Sequence, residues 1–158
     1  MLTPTGPPRP ELQGWAVREL AVVHQLTSTR LNRALKPLGI TFTHVSLLTH
    51  LSHVPHGCSV GAIAEAMEVN QPAVSKTLRA LAEQGAVVIE TPADDARRRV
   101  VRLTASGTDL LTRARLAMHP EATRVFAGLP DEDLARLAGL LSDVRGHLDE
   151  MRDLPSGA

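Results

Sequence analysis

The stretch Asn70-Gln71-Pro72-Ala73-Val74-Ser75-Lys76-Thr77-Leu78-Arg79-Ala80-Leu81-Ala82-Glu83-Gln84-Gly85 decides how the chain folds. Asn70 is a strong N-cap residue, and Pro72 falls in the first turn, where a missing N–H costs nothing. Val74, Leu78 and Leu81 share one face at helical spacing, so they point inward together. Gly85 is a natural C-terminal stop. Gln71, Pro72, Ala73, Ser75, Lys76 and Arg79 are then left on the outward side.

Just upstream, Ser59 caps a short helix with Ile63, Ala64 and Met67 inward, and Val69-Asn70-Gln71-Pro72 turns tightly into the helix above. Just downstream, Ala86-Val87-Val88-Ile89-Glu90-Thr91 is a β-branched run that reads as a strand. Residues 92–97 form a turn, and Arg98 to Thr104 reads as a second strand with Val101 and Leu103 alternating. Further out, Thr41 caps a helix carrying Val45, Leu48 and Leu51, which Pro55-His56-Gly57 stops. A long helical pattern runs from Glu11 to Leu35 and ends at Lys36-Pro37-Leu38-Gly39, because the residue before proline is pushed out of the helical region. Two more helices follow, at about Ala105–His119 and Asp131–Met151.

The expected fold is all-α with a small β-hairpin wing: a winged helix-turn-helix flanked by N- and C-terminal dimerisation helices. The expected organisation is a proline-rich disordered arm at 1–10, a dimerisation helix at 11–40, a DNA-binding lobe at 41–104 and dimerisation helices at 105–152, all in one domain. A length of 158 residues suits one domain with its own core. Trp15, Phe42 and Phe126 are the only aromatics, so Leu, Val, Ala and Ile must build that core. A lone cysteine, Cys58, rules out an intramolecular disulfide and suits a reducing cytoplasm. No leader peptide or membrane span is expected.

A helix-turn-helix followed at once by a hairpin points to duplex DNA. The major groove admits one helix, whose outward polar side chains read base edges. Gln71 suits adenine, Lys76 and Arg79 suit guanine or phosphate, and Ser75 suits phosphate. Pro72 and Ala73 suit a thymine methyl. The net charge is zero, with 17 basic and 17 acidic side chains, but Arg97, Arg98, Arg99 and Arg102 crowd one segment while acids gather towards the end. A neutral total can hide a basic contact surface. Arginine suits a narrow minor groove, and Asp95 can hold the Arg97 fork in place.

The run Asp95-Ala96-Arg97-Arg98-Arg99-Val100-Val101-Arg102-Leu103-Thr104, followed by Gly107, resembles the wing signature of the MarR (multiple-antibiotic-resistance regulator) family. Leu78, Leu81 and Gly85 resemble the end of its recognition helix, and Ser59 to Met67 resembles its first helix-turn-helix element. The resemblance implies a homodimer on a pseudo-palindromic operator, with Arg97 in the minor groove and Asp95 supporting it. It also implies a repressor released by a small aromatic effector, with Trp15 and His44 as pocket candidates. The chain departs from the family at Ile89-Glu90, where a basic residue is common, and at Pro130, where a Ser or Thr cap is usual. Cys58 is not in the first helix, so the oxidant sensing of some relatives is not implied.

No phosphate loop, nucleophile elbow, H-E-x-x-H or pair of carboxylates beside a histidine on one expected helix face is present, so no enzyme and no cofactor are expected. Two other readings stand beside the regulator. His50, His53 and His56, with Cys58 after them, are spaced as a metal-responsive sensor could use them, although no resident metal is expected. A winged-helix interaction module without DNA affinity would account for Glu90.

Overall fold

The computed structural model describes residues 7–91 and 99–153. Helix α1 runs Arg9–Leu35 and passes through a 3-10 turn, Lys36–Leu38, into α2, Phe42–Ser52. Strand β1, Cys58–Ser59, leads into α3, Val60–Ala66, and then α4, Gln71–Glu83. Strands β2, Val87–Glu90, and β3, Val100–Leu103, are followed by α5, Ala105–Phe126, and α6, Asp131–Asp153. The chain divides after Glu121 into two compact units.

The helix starts lie where short polar side chains can reach free backbone N–H groups. Ser59 accepts from Ala62 N at 3.1 Å and Asn70 accepts from Ala73 N at 2.9 Å. At α2, Thr41 and His44 form a reciprocal capping box: His44 N donates to Thr41 Oγ1, and Thr41 N donates to His44 Nδ1 at 3.3 Å. Helix α4 ends at Gly85 in the left-handed region, with φ of 71°, and Ala86 N reaches back to Leu81 O at 2.9 Å. The turn between α3 and α4 passes through Glu68 at φ 50°, before the expected turn at Val69 to Pro72, since Gln71 and Pro72 already belong to α4.

Val74, Leu78 and Leu81 enter one core with Leu35, Ile40, Leu47, Leu48, Leu51, Ile63, Val87, Val101, Leu110 and Leu111. The last turn of α1 thus roots in the lobe, while Trp15, Val17, Leu20, Val23 and Leu26 further up α1 are exposed. In the second unit, α6 exposes Leu140, Leu141, Val144 and Leu148.

The expected hairpin is part of a three-stranded antiparallel sheet in the order β1-β3-β2. Cys58 pairs with Val101 and Ser59 with Val100. Two residues are too few to show alternation, so β1 leaves no periodic signal. Gly57 permits this pairing: its φ is 76°, and a Cβ there would lie 2.6 Å from Val101 O. Helix α5 also continues past His119 and includes Pro120. Proline removes one N–H from the ladder without removing the other bonds of the helix.

The end of β3 shows how Leu103, Thr104 and Gly107 work as a unit. Thr104 Oγ1 donates to Gly85 O at 2.7 Å and accepts from Gly107 N at 2.9 Å, capping α5 while gripping the end of α4. Gly107 is buried, and a Cβ there would run into the Ala86 carbonyl oxygen and lie 2.7 Å from Leu103 Cδ1. Gly107→Ala is therefore expected to lower unfolding stability by about 1–3 kcal/mol, read from urea denaturation, and an unchanged midpoint would refute this close approach.

Burial holds the half-buried His44 ring below the ordinary histidine pKa. The unfolded chain therefore takes its proton first, so stability is full above the ordinary value and falls as pH drops through it. Gln is a natural capping-box partner and does not titrate. Between about pH 7.5 and pH 5, wild type is expected to lose more stability than His44→Gln, and parallel pH profiles would count against a role for this ring.

Candidate nucleic-acid interface

Helix α4 presents three kinds of side to its surroundings. Val74, Leu78 and Leu81 are buried. Gln71, Ser75 and Arg79, at four-residue spacing, run in a line along the side that faces the sheet. Ala73 and Thr77 lie on the side towards α2, where they border a shallow apolar depression with Thr43, Leu47, Met67, Val69 and Val74.

The line of Gln71, Ser75 and Arg79 forms one wall of an open groove of about 470 Å³. The start of α3 supplies Ser59, Val60 and Gly61, β2 supplies Ile89, and Arg99 joins them from just ahead of β3. Leu78 forms part of the lining. Four of the residues expected at a DNA interface, Gln71, Ser75, Arg79 and Arg99, therefore line one concavity. Two guanidinium groups beside a glutamine and two serine hydroxyls make a donor-rich surface, suited to base-edge acceptors and phosphate oxygens.

The other expected residues fall elsewhere. Pro72 and Lys76 are exposed on α4 without lining the groove, and Ala73 borders the depression towards α2. Asp95, Arg97 and Arg98 lie outside the described residues. Sequence reasoning used Ser59 only as a cap and treated Ile89 only as a departure, yet both line the groove. Ile89 could have been placed there, because it alternates with exposed Val88 and Glu90 along β2.

Arg102 stands apart from the arginines it clusters with in sequence. It lies opposite Val88 across the sheet, on the face away from buried Val87 and Val101. There its guanidinium pairs with the Glu90 carboxylate. Glu90 thus neutralises an arginine of its own sheet.

Trp15 is 56% exposed on α1, and its Nε1 donates to Glu19 Oε1 at 3.1 Å. His44 is taken up in the cap of α2. Burial raises the Cys58 thiol above its ordinary pKa, which disfavours the reactive thiolate. Among the described residues, no three His, Cys, Asp or Glu side chains gather in a group that could hold a metal ion. No helix among them is long and apolar enough to cross a membrane.

Solved structures of the same shape are numerous. Wild-type MarR from E. coli in its apo form superposes with a TM-score of 0.71 at 21% identity, over 91% of this chain and 98% of that one. A mutant of that protein complexed with operator DNA gives 0.69 at 23% identity, over 80% and 91%. CouR from Rhodococcus jostii RHA1, bound to p-coumaroyl-CoA, gives 0.66 at 22% identity, over 88% and 92%. At these identities the likeness carries the fold. The sequence model of the MarR family matches residues 38–98, from the turn after α1 into the wing. That segment is similar to the MarR family, and the fold around it is the winged helix of these solved structures.

Proposed function

We propose that the protein is a transcription regulator that binds duplex DNA as a homodimer, and that it acts as a ligand-responsive repressor. The observation that carries this reading is the groove in which Gln71, Ser75 and Arg79 of α4 face Arg99 at the base of the wing. In a winged helix-turn-helix, the second helix of the pair enters the major groove while the wing reaches the neighbouring minor groove. The solved relative complexed with operator DNA supports that use of the fold. Lys76, Pro72 and Ala73 complete the outward side of α4, and Arg97 and Arg98, with Asp95 in support, extend the basic run of the wing.

The exposed apolar side chains of α1 and of α6 support the homodimer. Leu20, Val23 and Leu26 on α1, and Leu141, Val144 and Leu148 on α6, are large and unburied in the single chain. Apolar surface on that scale marks an interaction face. The CouR complex with p-coumaroyl-CoA, which carries a phenolic group, supports a small aromatic effector. Such a ligand releases DNA only if it binds the DNA-free arrangement more tightly.

Selection from a random DNA pool supplies the test site. Arg79→Ala is expected to weaken binding to that site by about 1–3 kcal/mol, read by fluorescence anisotropy at fixed salt. Lys76→Ala is expected to weaken site and random duplex alike and to lower the salt slope by about one. Salt-independent binding by wild type, or full affinity in Arg79→Ala, would overturn the reading. Light scattering is expected to give twice the 17.0 kDa chain mass. Leu20→Glu or Leu148→Glu is expected to shift that mass towards the single chain, and a wild-type mass of one chain would remove the dimer.

A further inference from the structure

Two hydrogen bonds converge on the short stretch from Gly39 to Phe42, where the connection after α1 enters α2. From the α1 side, Asn32 Oδ1 accepts from Phe42 N at 2.7 Å. Phe42 is the first residue of α2, so this N–H has no partner inside its own helix. From the opposite side, Gln84 Nε2 donates to Gly39 O at 3.2 Å, across 45 residues of sequence. Gln84 is the C-cap residue of α4, and Gly39 sits in the left-handed region with φ of 68°. The connection therefore runs from α1 through Asn32 to the start of α2, along the chain to Gly39, and through Gln84 to the end of α4.

The core alone leaves a degree of freedom here. Leu31 and Leu35 root α1 in the lobe, and Leu78 and Leu81 root α4, but apolar contacts are non-directional. Hydrogen bonds have narrow preferences in distance and angle. Both bonds are exposed, so each adds little to stability. Their consequence lies in the angle they hold rather than in the energy of folding.

We propose that Asn32 and Gln84 are positioning residues that fix the direction of α4 relative to α1. In a dimer built through α1, that direction sets the separation of the two recognition helices, and so the half-site spacing the protein accepts. This inference rests on the proposed DNA-binding homodimer. It assigns Asn32 and Gln84 no contact with DNA, and neither residue lines the groove.

Full-length wild type and four variants are compared by selection from a random DNA pool, followed by titration on the selected site and on a random duplex at the same salt. Asn32→Asp keeps an acceptor for Phe42 N, and its charge is favourable at a helix start, so it is expected to keep the wild-type spacing. Asn32→Leu removes the acceptor. Gln84→Glu keeps the shape but cannot donate, and Gln84→Ala removes the side chain. These three are expected to accept a broader range of spacings and to lose about threefold to tenfold in the ratio of site to random affinity. Their random-duplex affinity and melting temperature are expected to stay near wild type. Wild-type spacing in Asn32→Leu and Gln84→Glu overturns the proposal, as does equal loss on site and random DNA. A wild type that enriches no paired half-sites overturns the function on which the proposal rests, and the proposal with it.

Discussion

The lobe depends on the contact between Gly107 and the Ala86 carbonyl oxygen. Strand β3 must hand the chain to α5 at the point where β2 begins, and there is no room for a side chain between them. Thr104 fills the remaining space with a hydroxyl that donates towards α4 and accepts from α5. Three elements thus meet through one threonine and one glycine. The base of the wing, and with it Arg99, is held against α4 by that junction. Val101 and Leu110, buried on either side of the turn, make the arrangement stable without making it specific.

Much of this was legible because the signals are local. Thr41, Ser59 and Asn70 are short polar side chains just ahead of apolar periodicity, and each one caps. Gly85 stops α4 because only a left-handed residue lets Ala86 turn back to Leu81. What stayed illegible depends on partners distant in sequence. Strand β1 exists only because Val100 and Val101 come to it, 41 and 43 residues after their partners. The continuation of α5 past Pro120 is likewise decided by the rest of the helix, since a proline inside a helix removes one bond and not the others.

The site was half legible for a related reason. Helical spacing divides α4 into buried and unburied positions, and that division holds for Val74, Leu78 and Leu81. It does not say which unburied positions face the sheet. That depends on where β2 and β3 pack, which places Gln71, Ser75 and Arg79 on the groove and Ala73 on the side towards α2. The wing arginines resisted the same reasoning. A count of basic residues treats Arg99 and Arg102 alike, but strand alternation separates them.

That separation changes what Glu90 means. As a bare residue type in a wing, an acid opposes phosphate and argues for weak DNA binding. Paired with Arg102, it carries no net charge to the surface. Arg102 and Glu90 are both about half exposed, so the pair adds little to stability. Its consequence is electrostatic: it takes one arginine out of the basic run, while Arg99 and Arg79 line the groove. A net charge of zero therefore coexists with two arginines lining one groove, because charge is set by where side chains lie and not by their total.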